Sequence, residues 1–156
     1  MKKRIKTGEI SALYTTLCAA KYGELSTDEI VKVFNIMEQL KPVAVGFAEA
    51  GEQAAKMLKD KFPGYDENLQ RALEYQEASQ GGSTEGLSMG AAEYKEWMRT
   101  TYQPYQNMVV ESMKERTDKM AELTIDTIDI QTVVTLAKAN GWNGAQMMLM
   151  RQICCK

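Results

Sequence analysis

Apolar residues in the first half of the chain recur at intervals of three and four, and the longest such series lies within residues 26–59. This spacing places its members on one face of an α-helix. The pattern therefore predicts one long helix with a continuous core-facing stripe. Its members are Ile30, Val33, Met37, Leu40, Ala44, Phe47, Gly51, Ala54 and Leu58.

The start of this helix is marked by a capping box. Ser26 is followed three residues later by Glu29, so each side chain can bind the other residue's backbone amide. Pro42 lies inside the series and lacks the amide that a helix interior requires. The series keeps its spacing through Pro42, so we predict one kinked helix rather than two separate ones.

A second apolar series predicts a second long helix over about residues 91–121, with an internal proline at Pro104. Two such helices can bury their stripes against each other, so an antiparallel hairpin is expected. The apolar positions of the second series are Met98, Tyr102, Tyr105, Val109, Met113, Met120 and Leu123.

Residues 123–129 alternate between two faces and are rich in β-branched side chains, which favours a short strand. Its only candidate partner is the segment 3–6. Thr7 is a candidate cap for a first short helix, Asp129 for another and Asn143 for the last. The predicted fold class is mainly α, a kinked antiparallel helical hairpin with flanking short helices and a minor two-stranded sheet.

The length of 156 residues favours a single helical domain over residues 1–156. A glycine-rich stretch interrupts it and predicts a flexible insertion at about residues 79–90. The glycines there do not have the spacing of a phosphate-binding loop followed by a lysine.

The charge and hydropathy of the chain bound its partners. The net charge is −2, and four of the positive charges lie within the first six residues, so the remaining chain is more acidic. Nucleic acid is therefore an unlikely partner. No stretch reaches the ~20 apolar residues of a membrane span, so no membrane partner is expected.

The residue inventory argues against catalysis. The chain has no histidine, which excludes Ser-His and Cys-His schemes. Cys18, Cys154 and Cys155 lack the spacing of a zinc site, and a reduced cytoplasm is their simplest setting. We predict a protein that is not an enzyme, with no catalytic residues, no metal site and no cofactor.

Aromatic residues, arginines and methionines are candidates for binding. Tyr94, Trp97, Tyr102 and Tyr105 form an aromatic set that either faces a partner or anchors the second long helix. Methionines near the C-terminus form either an adaptable surface or core filling. The complete set of candidates is Tyr94, Trp97, Tyr102, Arg99, Arg116, Met147 and Met150.

Several short segments, in this order, resemble a family of small tailed-bacteriophage proteins that is classed as a domain of unknown function. They are residues 5–10 followed by Ala12-Leu13, then Leu40-Lys41-Pro42 with Phe47, and further on residues 122–126 and 128–130 before a closing helix rich in methionine and leucine. The resemblance implies a phage or prophage accessory protein that acts in the host cytoplasm or in the virion.

Two functional hypotheses follow. The first is a binding protein with a protein partner, acting in virion assembly or in sequestering a host (defence) component. The alternative is a small-molecule-binding or catalytic pocket between the two long helices, lined by tyrosines and by Arg99 or Arg116. A homodimer formed through the last helix, residues 147–153, is a further expectation.

Overall fold

A computed structural model describes residues 1–156. Two short strands and a series of helices follow one another along the chain, and the mainly α fold with a minor sheet is confirmed. In order, the elements are β1 (Lys2–Lys6), α1 (Thr7–Cys18), α2 (Thr27–Lys59), α3 (Tyr65–Gln80), α4 (Ala91–Trp97), a π-helical segment (Met98–Tyr102), α5 (Gln103–Asp118), β2 (Met120–Thr124), α6 (Ile130–Asn140) and α7 (Gly144–Cys154).

The chain divides into two compact units. Unit 1 consists of Met1–Ala50 together with Lys114–Lys156, and unit 2 consists of Gly51–Met113. The boundaries fall inside α2 and α5, so neither helix belongs to one unit alone. The prediction of a single domain stays a prediction, and the units are described one at a time.

The capping box at the start of α2 is confirmed. The Ser26 amide donates to Glu29 Oε2 at 2.9 Å, and the Glu29 amide donates to Ser26 Oγ at 3.4 Å. The hydroxyl of the buried Thr132 donates to the other Glu29 oxygen at 2.7 Å. Hydrogen bonds from Ser26 and then Thr132 lower the pKa of the Glu29 carboxyl, because they stabilise its charged form. This contact also links α2 to α6.

The core-facing stripe of α2 is largely as predicted within unit 1, with two differences. Val33, Leu40 and Ala44 are buried, but so is Ile36, which the three-and-four series omitted. Phe47 is only half-buried and belongs to neither core cluster. The expectation that Phe47 is a core residue is therefore wrong, because the fully buried face of α2 ends at Ala44.

The second helical stretch contains a π-helical segment next to its proline. The Gln103 amide donates to the Met98 carbonyl, five residues earlier, and Pro104 follows directly. A proline inside a helix has no amide to donate, so a locally wider turn at this point has an identifiable cause. The stretch begins at Ala91 and ends at Asp118, three residues before the predicted end.

The antiparallel arrangement of the two long helices is visible inside unit 2. The Tyr105 hydroxyl donates to the Ala55 carbonyl at 2.9 Å. Four residues earlier on α2, a Cβ atom added at Gly51 would lie 3.8 Å from Met113 Cε. The order of contacts along one helix is the reverse of the order along the other, so the helices run antiparallel here.

The two predicted strand segments pair, but the second begins earlier than expected. β1 and β2 are antiparallel, with Lys2 opposite Thr124 and Lys6 opposite Met120. The predicted strand range of 123–129 is wrong beyond Thr124, where β2 ends. Instead the Ile125 amide donates to the Met1 carbonyl at 2.9 Å, and Ile125 and Ile128 turn into the core of unit 1.

The junction between β1 and α1 differs from the predicted cap. Lys6 is the N-cap residue, and Thr7 is the first residue of α1. The amide and the hydroxyl of Thr7 both donate to the Lys119 carbonyl, each at 2.8 Å. Beside it, a Cβ atom added at Gly8 would lie 2.6 Å from Thr117 Cγ2. The start of α1 therefore lies directly against the end of α5.

The ends of the C-terminal helices follow the sequence signals. The Asp129 side chain accepts a hydrogen bond from the Gln131 amide at 2.9 Å and caps α6. Gly141 ends α6 with a φ of 62°, a left-handed conformation that favours glycine. Asn143 and Gln146 form a capping box at the start of α7. These helices pack with α1 and α2 around the core of unit 1.

The close approach at Gly8 generates the first prediction. Gly8→Ala should lower the free energy of unfolding by about 1–3 kcal/mol, because the new methyl group would overlap Thr117. The matched control is Gly46→Ala, where nothing lies within 4 Å of the added atom. That substitution should raise the free energy of unfolding by about 0.5–1 kcal/mol, since alanine is the better helix former. Urea unfolding measures both, and two shifts of the same sign would contradict the packing described at Gly8.

Candidate functional site

Aromatic side chains from separate helices meet in the core of unit 2. Tyr65, Trp97 and Tyr105 are buried there. The ring centroids of Tyr65 and Tyr105 are 4.3 Å apart, and those of Tyr65 and Trp97 are 5.7 Å apart. Such close, tilted ring pairs stabilise a core beyond the burial of their area and fix the orientation of each ring. Unit 2 therefore has a rigid aromatic centre.

A cavity of about 170 Å³ lies beside this centre, between α3 and the helical stretch 91–102. Both walls use residues three and four apart, so each wall is one helix face. α3 contributes Leu69, Ala72, Leu73 and Gln76. The facing wall is formed by Tyr94, Trp97, Met98 and Tyr102.

The walls of this cavity are apolar and aromatic, with few polar groups. No lysine, arginine, aspartate or glutamate lines it. Gln76, Tyr94, Trp97 and Tyr102 are the lining residues with a polar atom in the side chain. Trp97 is 8% exposed, and its Nε1 is buried without a hydrogen-bond partner. Buried donors in proteins are normally paired, so this unpaired atom is an unusual feature of the core of unit 2.

The π-helical segment supplies part of the cavity wall. Met98 and Tyr102, its first and last residues, both line the cavity, and Trp97 directly precedes it. A π turn inserts an extra residue into the helix and changes which side chains the next turn presents to a neighbour. Segments of this kind are frequent at functional sites in proteins.

Arg71 on α3 secures the chain that leads into α4. Its guanidinium donates to the Ser88 carbonyl at 2.6 Å and to Ser88 Oγ at 3.1 Å. It also forms an ion pair with Glu93 at 2.8 Å. Next to Ser88, Met89 is buried in the aromatic core. The sequence analysis assigned no role to Arg71 or Met89. An arginine on a short polar helix gives no sign of a partner seventeen positions away.

The predicted site residues separate into distinct places. Tyr94, Trp97 and Tyr102 come together at the cavity. Arg99 does not line it; this exposed side chain pairs with Glu96 at 2.9 Å on the same helical stretch. Arg116 lies in unit 1, in a surface hollow formed with its own sequence neighbours Glu115, Asp118 and Lys119.

The two predicted methionines lie on α7 in unit 1. Met150 is fully buried with Ile153 and Cys154, so it fills the core. Met147 is half-buried, and the neighbouring Met148 is exposed. Of the two interpretations of this cluster, core filling holds for Met150, while Met148 presents an apolar side chain at the surface.

The cysteines of α7 are held in the thiol form. Burial raises the pKa of Cys154 to about 12 and also raises the pKa of Cys155. Because the thiolate is the reactive form, neither sulfur is activated as a nucleophile at neutral pH. No group of three or more cysteine or acidic side chains is arranged to hold a metal ion.

Unit 1 carries a second feature, an apolar strip on the outer face of α2. We call it the outer strip and define it as Val31, Phe34, Pro42 and Val45. At 100° per residue these positions lie within about 80° of one another around the helix axis. The Tyr22 ring supports Phe34 in an edge-to-face contact with centroids 5.4 Å apart.

No protein-family model, curated protein or solved structure matches this chain. None of the helices combines the length and the apolar character needed to cross a membrane.

The Arg71 contacts generate the second prediction. Arg71→Ala removes the bonds to Ser88, so the segment before it should open more often. Cleavage by a glutamate-specific protease after Glu85 should then accelerate by about fivefold or more. Arg99→Ala is the control, since Arg99 pairs only with a neighbour on its own helical stretch. Mass spectrometry measures the cleavage rates. Equal rates in both variants and in the wild type would show that Arg71 does not secure this segment.

Proposed function

We propose that this chain is a non-catalytic phage or prophage accessory protein that binds another protein through the outer strip. The observation that carries the proposal is the exposure of large apolar side chains on one helix face. Val31 is 52% exposed, Phe34 is 48% exposed and Val45 is 40% exposed. Clusters of this kind, bordered by polar residues, are typical of interaction sites.

The chemistry of the outer strip fits a protein groove. An aromatic side chain often contributes a large share of the binding energy of an interface, and Phe34 is the aromatic residue of the outer strip. Its contact with Tyr22 orients the ring before any partner arrives, which lowers the entropy lost on binding. Glu38 lies on the same helix face, between Val31 and Phe34 on one side and Pro42 and Val45 on the other, and pairs with Lys41 at 3.5 Å. A helix face of this composition suits docking into a groove that is apolar and offers one polar group to the charged pair.

The biological setting of the proposal comes from the resemblance to small tailed-phage proteins. Two roles are consistent with it: assisting virion assembly, or sequestering a host (defence) component. Both would place the chain in the host cytoplasm, and the first also in the virion. In both cases the partner is a protein, and no catalytic group or cofactor is required.

A homodimer through α7 is a separate part of the proposal. Most of the apolar face of α7 packs into its own chain, which leaves Met148 as the exposed long apolar side chain of that helix. One residue is a small contribution to a two-fold interface. Light scattering separates one chain of 17.5 kDa from two.

Mutation of the outer strip generates the third prediction. Phe34→Glu should reduce recovery of the partner at least about tenfold in a pull-down from phage-infected cells, because it places a charge in the apolar contact. Met57→Glu is the matched control, since Met57 is an exposed apolar residue on the part of α2 that belongs to unit 2. Mass spectrometry identifies the partner as a virion protein or a host protein.

Phe34→Glu also removes the ring contact with Tyr22, so the thermal stability of both variants is measured first, and recovery is compared at a temperature where both are folded. Recovery of the same partners with Phe34→Glu as with the wild type would contradict the proposal. Equal loss with Phe34→Glu and Met57→Glu would also contradict it, because the effect would then not be specific to the outer strip.

A further inference from the structure

We infer that the free edge of β1 is a docking site for an acidic, extended segment of a partner protein, which joins the sheet as a third strand antiparallel to β1. This edge is built from other residues than the outer strip, so the inference does not depend on the proposed function. It rests on the unpaired backbone groups of the edge and on the charged side chains beside it.

The register of the sheet shows which backbone groups of β1 are free. The Ile125 amide donates to the Met1 carbonyl, and the Thr7 amide donates to the Lys119 carbonyl. Residues 1, 3, 5 and 7 therefore face β2, and because the direction alternates along a strand, the residues between them face away. These are Lys2, Arg4 and Lys6, and their amides donate no hydrogen bond within the chain.

The free edge is open to water. Lys2, Arg4 and Lys6 are all exposed, and the sheet has no third strand. Unpaired backbone groups at a surface bind water, which the backbone of a second peptide can replace. An open strand edge is thus a template for one more strand, and proteins bind extended segments in this way.

The side chains beside the edge select an acidic segment. Lys2, Arg4 and Lys6 share the outer face of the sheet, since Ile5 between them is buried on the other face. Lys6 pairs with Asp118 and Arg4 with Glu122, but the side chains of Lys6 and Arg4 remain 50% and 70% exposed. Ion pairs this exposed contribute little, so both cations remain available to a partner's carboxylates.

The spacing of these cations sets the pattern of the partner segment. Residues directly opposite each other in an antiparallel pair have side chains on the same face. Acidic residues at every second position of the segment would therefore lie beside the three cations of β1. The outer edge of β2 does not offer this match, because the residues along it are Met120, Glu122 and Thr124.

The free backbone groups favour a peptide over a nucleic acid, the other polyanion that three cations would attract. A nucleic acid backbone has no donors and acceptors that alternate at the spacing of a strand, so it would leave the edge incompletely paired. The net charge of −2 also disfavours nucleic acid.

The direct test uses the capped peptide Glu-Val-Glu-Val-Glu, which matches the five residues of β1. In a nuclear magnetic resonance titration of the ¹⁵N-labelled full chain, it should bind saturably at millimolar concentration. At saturation, hydrogen exchange of the Arg4 and Lys6 amides should slow at least about tenfold, because both become paired. The Glu122 and Thr124 amides, on the other edge, should exchange as before. Unchanged exchange of Arg4 and Lys6 at saturation, or no saturable binding, would overturn the inference.

Modified peptides test the strand geometry. In the antiparallel pair the central glutamate amide faces Arg4, so its N-methylation should weaken binding at least about fivefold. N-methylation of a valine is the matched control, since the valine amides face away from β1. Lys-Val-Lys-Val-Lys should not bind. Equal affinity of the peptide N-methylated at glutamate and the unmodified peptide would overturn the inference.

Charge reversal tests the selection of an acidic partner. Lys2→Glu and Arg4→Glu should each weaken peptide binding at least about fivefold, because like charges would then meet. Lys138→Glu is the control, since Lys138 is exposed on α6 and the change in net charge is the same. If the new carboxylate of Arg4→Glu unfolds the sheet beside Glu122, Lys2→Glu decides the question. Equal affinity of Lys2→Glu and Lys138→Glu proteins, or tighter binding of a short oligothymidylate than of the peptide, would overturn the inference.

Discussion

Unit 1 depends on the contact between the first eight residues of the chain and the segment that follows α5. Its two parts are separated in sequence by the whole of unit 2, so their association must overcome the entropy of closing a long loop. The pairing of β1 with β2 contributes to this association, together with the Thr7 bonds to Lys119 and the ion pair of Lys6 with Asp118 at 2.9 Å. Gly8 permits the close approach, because any side chain there would overlap Thr117. Once these segments meet, Ile5, Ile10 and Ile125 enter one core.

Local signals predicted the fold well where neighbouring residues decide it. The Ser26 capping box and the Asp129 and Asn143 caps act over at most a few residues, and each is found where the sequence places it. Contacts between distant residues were less predictable. β2 ends where Ile125 enters the core of unit 1, and Thr7 bonds to Lys119 instead of capping α1. The three-and-four spacing of apolar residues does not show where the buried face of a helix ends, so it predicted a buried Phe47. It also omitted Ile36, which the structure buries.

The candidate site, like the fold, was predictable from the sequence only in part. Residue type identified Tyr94, Trp97 and Tyr102 as an aromatic set on the second helical stretch, and the structure brings all three to one hollow. Residue type could not show that α3 supplies the opposite wall, or that Arg99 and Arg116 lie away from it. The π turn, the burial of Met89 and the reach of Arg71 to Ser88 arise from tertiary packing. The aromatic core belongs to unit 2 and the outer strip of α2 to unit 1, so the two features lie in separate units.

The dependence of unit 1 on its terminal pairing is tested most directly by amide hydrogen exchange. The Thr7 amide donates to Lys119 and the Ile125 amide donates to Met1, so both report on the contact between the two segments. If the contact holds unit 1 together, these amides should exchange only when the core opens, with the same opening free energy as the amides of Leu17 on α1 and Leu136 on α6. Exchange of Thr7 and Ile125 at a much lower opening free energy, while Leu17 and Leu136 stay protected, would contradict the account.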